Sequence, residues 1–235
     1  MDKLPALRLR KVAEADFPTQ YGFFRIFGFE GKFDRSVEEA VVLRMGAFES
    51  DDAPLVRIHS QCLTGDVFHS LRCDCRAQLE IALHAIAAEG RGLLIYEHQE
   101  GRGIGLLNKL RAYELQDQCA YTVEANERLG FENDLRSYAL PAAILRYFGL
   151  ESIRLLSNNP EKVEAVEQAG VRVVERIPCL ADVLETREAY LRTKKEKMGH
   201  LLEQLDYCLL YTSHRFTLTQ PPATSARSRN PRLGC

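Results

Sequence analysis

Ser152-Ile-Arg-Leu-Leu-Ser-Asn-Asn-Pro-Glu-Lys-Val-Glu-Ala-Val-Glu-Gln-Ala-Gly-Val-Arg-Val-Val-Glu175 reads as a complete strand–helix–strand unit. Ser152 to Leu156 is a short strand. Asn159 is placed to cap a helix, and Pro160 suits its first position because an N–H there has no partner to lose. Gly170 marks the C-terminal stop, and Val171 to Glu175 forms the next strand. Two strands joined through a helix imply a parallel pair with a right-handed crossover.

Upstream, Leu140 to Phe148 reads as a helix stopped by Gly149, and Gly92 to Tyr96 as a short buried strand. The strand runs into the glycine-rich Gln99-Glu-Gly-Arg-Gly-Ile-Gly105, which opens a helix reaching about Gln118. Leu79, Ile81, Leu83 and Ile86 recur at helical spacing between Gln78 and Ala88, with Gly90 as the stop. Leu7–Val12, Tyr21–Phe29, Ala40–Arg44 and Pro54–His59 are β-favouring runs, the last two joined through the polar Glu49-Ser-Asp-Asp. Antiparallel strands at the front and a β-α-β unit at the back predict an α/β fold, a mixed β-sheet with flanking helices.

A chain of 235 residues suits one ample domain, or at most two small ones. The expected division is a catalytic domain over 1–205 and a disordered or artefactual basic tail over 206–235. Residues 207–235 carry Arg215, Arg227, Arg229 and Arg232, three prolines and no acid. The 27 basic and 33 acidic residues that remain give positions 1–206 a net charge of −6, which argues against nonspecific nucleic-acid binding. No apolar run approaches the roughly 18 residues of a membrane span, and Met1-Asp-Lys-Leu-Pro has no signal-peptide core. Seven cysteines therefore read as thiols and ligands, and a cytoplasmic enzyme is expected.

Cys62, Cys73 and Cys75 crowd one segment, and the Cys-x-Cys pair can turn two thiolates toward one centre. Zinc takes such ligands tetrahedrally, and three protein ligands leave a fourth position for water. On spacing alone, His59 or His69 closing a structural site stays open as the alternative. His98 and His200 have no partner at ligand spacing. Glu100-Gly-Arg-Gly-Ile-Gly105 opens a helix, where backbone amides hold anions, but a tight β-to-α turn explains it equally well. Glu100 can grip the N–H edge of a purine-like base, and Arg102 a phosphate. By pattern alone, Asp134 and Arg136 are a solvated loop pair and Tyr113 a core tyrosine with its hydroxyl at the rim.

Arg57-Ile-His-Ser-Gln-Cys-Leu-Thr-Gly-Asp66, Leu71-Arg-Cys-Asp-Cys75, Gln99-Glu-Gly-Arg-Gly-Ile-Gly-Leu-Leu-Asn-Lys109 and Val123-Glu-Ala-Asn126 together resemble the GTP cyclohydrolase II family. Ser157-Asn-Asn-Pro-Glu-Lys162 and Thr193-Lys-Lys-Glu-Lys-Met-Gly-His200 fit the same pattern, so the resemblance covers about residues 7–205. No dihydroxybutanone phosphate synthase-like domain accompanies it, which implies the monofunctional form.

The resemblance implies hydrolysis of GTP to formate, pyrophosphate and 2,5-diamino-6-ribosylamino-4(3H)-pyrimidinone 5′-phosphate, the first step of riboflavin synthesis. It implies one catalytic Zn2+ per subunit on Cys62, Cys73 and Cys75, Mg2+ with the triphosphate, and a homodimer. As GTP contacts it implies Arg57, Ile58, His59, Ser60, Gln61, Gln78, Glu100, Gly101, Arg102, Thr122, Ser157 and Lys162. Asp134 takes an acid/base role, Tyr113 a place in the ring chemistry, and Arg136 a place at the α-phosphate as nucleophile or as clamp. Zinc lowers the pKa of bound water to about 7, which suits attack on guanine C8. The family usually has Glu, Arg and Gly where this chain has Gln61, His98 and Arg76. These departures leave two other readings, a paralogue releasing the formamidopyrimidine and a non-catalytic guanine-nucleotide binder with structural zinc.

Overall fold

The structure is a computed structural model that describes residues 7–34, 36–49, 53–117, 130–131, 136–181, 185–202 and 205. Asp134, Thr122 and the tail over 206–235 lie outside the described residues.

Seven strands form a single mixed sheet in the order β1-β2-β3-β5-β4-β6-β7. The strands are β1 (Arg8–Thr19), β2 (Gly22–Lys32), β3 (Val37–Met45), β4 (Leu55–Ser60), β5 (Gly92–Glu97), β6 (Ser152–Leu156) and β7 (Arg172–Ile177). The first three and β5 pair antiparallel, while β5, β4, β6 and β7 run parallel. Pro18 is tolerated because β1 is an edge strand and loses no ladder bond on its outer side.

Six helices accompany the sheet among the described residues: α1 (Leu63–Asp66), α2 (Cys75–Glu89), α3 (Leu106–Asp117), α4 (Ala139–Tyr147), α5 (Pro160–Gln168) and α6 (Glu185–Met198). Alternation along the strands sorts the core into two layers. Val56, Ile58, Leu93 and Ile95 join Leu140, Ile144 and Val166 of α4 and α5 in one layer. Leu55 and Leu94 join Ala82, Leu83 and Ile86 of α2 in the other. The parallel part is thus buried on both faces, which is why β5 is an almost unbroken apolar run; β4 is buried nearly throughout but carries Arg57 and His59 to the cleft.

The opening β-α-β unit forms as its residues dictate. β6 and β7 pair in parallel, and the Asn159 side chain accepts the Glu161 N–H at 3.0 Å to cap α5. Gly90, Gly149 and Gly170 all take left-handed φ, each just past a helix. Two pairings depart from chain order: β5 lies between β3 and β4, so β3 pairs with β5 and β4 with β6. β4 and β6 share only two register pairs, Leu55–Arg154 and Val56–Leu155, so this seam is the lightest in the sheet.

Asn159→Ala is expected to lower the unfolding free energy by about 1 kcal/mol. A urea titration reads this as a lower midpoint at unchanged slope; an unshifted midpoint refutes the cap.

Candidate active site

Four parallel strands end at the same edge of the sheet, and a cleft lies beyond those ends. Open α/β sheets place ligands there because loops from neighbouring strands diverge. Arg57, His59 and Ser60 reach the cleft from β4, Glu100 to Arg102 from the turn after β5, and Ser157 and Lys162 from the start of the β6–α5 unit. Cys62, Cys73, Cys75, Gln61, Gln78, Tyr113 and Arg136 line the same cleft. Ile58 does not: its side chain is in the core and its carbonyl accepts Lys162 Nζ at 2.8 Å.

The three cysteine sulfurs all lie within 4.8 Å of one another, with Cys62 and Cys73 at 3.7 Å. Gly65 makes this possible. A Cβ there would sit 2.9 Å from Cys73 Sγ and 3.1 Å from Cys62 Sγ, so any side chain would displace the ligands. His59 does not close the cluster, since Asp66 holds its Nε2 at 3.2 Å, and His69 is exposed.

Three thiolates so close repel, and the protein alone stabilises one. Hydrogen bonds from Cys73 and Cys75, aided by the charge of Lys109, hold the Cys62 thiol far below the usual range. The bond to the Cys62 sulfur, with burial, pushes Cys73 up to about 11, and Cys75 rises for the same reasons. Sulfur donors that hold two protons in place of a divalent charge suit a thiophilic cation, and the cluster is consistent with zinc.

Supporting bonds fix this turn from several sides. Asp66 accepts the Cys62 N–H at 3.0 Å, the Tyr96 hydroxyl at 2.8 Å and the His59 ring. Burial keeps His59 neutral against the pull of Asp66, and its other nitrogen, Nδ1, has no partner. Arg76 Nη1 donates to the Asp66 carbonyl at 2.8 Å from outside, so one departure from the family pattern braces the ligand turn. His98 is exposed and does not line the cleft.

Glu100 is engaged within the protein. Its carboxylate accepts the Leu63 N–H at 2.7 Å and Lys109 Nζ at 2.8 Å, and Lys109 also donates to Cys62 Sγ at 3.1 Å. Glu100 Oε1 also accepts the Gly101 N–H at 2.9 Å, so Oε2 is the oxygen that keeps a further lone pair. The turn that carries it is strained, with Gly101 and Arg102 both at φ 63°, and Arg102 pays the steric cost that glycine avoids.

A second network lay beyond reach of pattern reading. Asp74, between two of the cysteines, accepts Lys194 Nζ of α6 at 2.7 Å and also the Gln78 amide. Burial opposes its ionisation, but the charge and hydrogen bond of Lys194 outweigh that and hold its pKa down. Gln78 in turn accepts Arg57 Nη2 at 2.6 Å, and Arg57 Nη1 donates to the Leu156 carbonyl at 2.9 Å across the β4–β6 seam. Buried polar atoms without a protein partner gather in this cleft: Arg57 Nε, His59 Nδ1, Arg102 Nη1, Asn159 Nδ2 and both ring nitrogens of His200. Such atoms are rare in folded proteins and mark a surface that awaits a polar ligand.

Residues 10–178 match the family model described as GTP cyclohydrolase II. The chain is 46% identical over 215 residues to the GTP cyclohydrolase-2 of Shewanella pealeana, covering 92% of this chain and 98% of that protein. It is 49% identical over 200 residues to the Saccharophagus degradans GTP cyclohydrolase-2, covering 85% and 99%. With its Yersinia pseudotuberculosis counterpart it shares 51% identity over 196 residues, covering 83% and 99%. The matched segment contains nearly the whole sheet, all three clustered cysteines and most of the cleft wall, and the chain belongs to the GTP cyclohydrolase II family.

Proposed function

We propose that this cleft opens the imidazole ring of GTP, with the guanine directed at the cysteine cluster and the triphosphate along Arg102, Arg136 and Lys162. The activity is that of GTP cyclohydrolase II, giving formate, pyrophosphate and the diaminopyrimidine phosphate. The observation that carries the reading is the convergence of three sulfurs and these three cations on one cleft.

Cys62, Cys73 and Cys75 would hold the zinc, which when bound would supply a Lewis acid able to bring the pKa of water to about 7. Tyr113 lines the same cleft, its hydroxyl 3.2 Å from Thr64 Oγ1. Burial raises the pKa of that phenol, so at neutral pH it keeps its proton and acts as a donor toward the opening ring. Glu100 and Gly101 hold the turn that presents Arg102, while Ser60, Gln61, Gln78 and Ser157 complete the walls around the substrate.

Arg136 works as a clamp on the α-phosphate. Its Nη1 lies 3.4 Å from Ser60 Oγ and its guanidinium 5.8 Å from the Tyr138 ring centroid. A guanidinium at neutral pH has no free lone pair for attack. Lys162 is held at 5.5 Å from the same ring, in the first turn of α5 where the helix dipole favours phosphate. Asp134 and Thr122 belong to this reading through the family pattern, as a proton acceptor and a GTP contact. Magnesium accompanies the triphosphate, and the protein acts in the cytoplasm as a homodimer. Exposed Phe17 and Phe23 on the β1–β2 hairpin support a covered face.

Purified protein incubated with GTP, zinc and magnesium is expected to yield formate and the diaminopyrimidine; pyrophosphate without formate refutes the ring-opening reading. Cys73→Ser should abolish formate release and zinc content while sparing much of the GTP affinity. Formate at a wild-type rate without zinc by elemental analysis would overturn the ligand assignment. Gly65→Ala should weaken zinc by about tenfold or more in chelator competition, because the added carbon enters the space of two sulfurs. For the clamp, a guanylylated adduct trapped with wild type and lost in Arg136→Lys would restore the nucleophile in its place.

A further inference from the structure

The Thr193–His200 segment lies beyond the region matched by the family model, yet Lys194 and His200 line the cleft. The backbone around His200 is anchored. Its own N–H donates to the Lys194 carbonyl at 3.1 Å, the Leu201 N–H donates to the Asn158 carbonyl at 3.0 Å, and Leu202 is buried. The segment is therefore held beside the β6–α5 connection, and both ring nitrogens of His200 are closed off from solvent without a protein partner.

Four cations of the same cleft wall act on it. Lys194 comes from α6, Arg136 from the segment before α4, Arg102 from the turn after β5 and Lys162 from α5. Burial foremost, and then these four charges, hold the His200 pKa down to about 3, so the imidazole is neutral. The largest charge effects on the ring all come from these cations, and one of them, Lys194, is paired with Asp74 at 2.7 Å. The nearby Asp74 is already committed to Lys194 and Gln78. A cleft wall that carries these cations together with an unsatisfied imidazole matches a polyanion, whose oxygens accept hydrogen bonds.

We infer that His200 is a further substrate-binding residue that, with Lys194, completes the site for the triphosphate from the C-terminal segment. The inference rests on the triphosphate placement proposed above. In the free protein the ring carries one N–H donor. Several negative charges delivered among the four cations reverse the local potential, so the second nitrogen takes a proton and both then donate to phosphate oxygens.

The test uses the full chain with zinc and the α,β-methylene analogue of GTP, with guanosine as the phosphate-free control. His200→Gln is expected to weaken the analogue about tenfold or more and to leave guanosine binding unchanged. In wild type, histidine NMR should show the His200 ring neutral from pH 5 to 8 without the analogue and titrating in that range with it. Equal affinity in His200→Gln together with a ring that stays neutral in the complex overturns the inference. The wild-type titration keeps it falsifiable if the variant misfolds. Lys162→Met separates the two layers of the argument. Analogue affinity lost there but kept in His200→Gln removes His200 alone, whereas affinity kept in both removes the triphosphate placement itself.

Discussion

Holding three cysteine sulfurs within 4.8 Å of one another is the constraint that the rest of the cleft serves. Bare thiolates at that spacing repel, so every neighbour either removes bulk or balances charge. Gly65 leaves the space, Asp66 fixes the Cys62 backbone, and Lys109 sets a cation against Cys62 Sγ while paired with Glu100. Asp74 ties the Cys73–Cys75 strip to α6 through Lys194. The ligand turn is thus held from β5, α3 and α6 as well as from its own helix.

This crowding links the two ends of the cleft. The bonds run from Lys194 through Asp74, Gln78 and Arg57 to the Leu156 carbonyl, from the metal side to the last residue of β6. Each member uses its polar atoms on the next, and the cleft wall gains its rigidity from side chains that also face the substrate space. Buried polar chains of this kind are costly when broken, because a remaining partner stays desolvated.

Much of the local structure was legible in the sequence. The β-α-β unit, its Asn159 cap, the helical stops and the short buried strand over 92–96 follow from near-neighbour chemistry. The cleft gathers the described residues that the family pattern names, apart from the core-facing Ile58. What escaped depends on contacts far apart in the chain. The insertion of β5 between β3 and β4 is a pairing choice that hydrophobic alternation does not encode. The four-residue α1 is too short for periodicity, and the bonds of Asp66 to His59 and Tyr96 cross two strands. A hydrophilic helix over 185–198 gave no apolar stripe to read, so the place of Lys194 and His200 in the wall emerged only from the fold. Gly65 carried one clue, a glycine among three cysteines.

The light seam between β4 and β6 bears on how the molecule is made. Its two register pairs join residues about a hundred positions apart, and Arg57 and Lys162 staple it with bonds to Leu156 and Ile58. Contacts between residues so far apart raise the contact order, which slows folding. On the ribosome, all three cysteines emerge well before β6 exists, so the thiol end of the cleft is synthesised first and waits for its other wall. For that interval the cysteine segment lacks the wall that Lys194 of α6 gives it in the finished fold, and a bound metal would protect its thiols from oxidation.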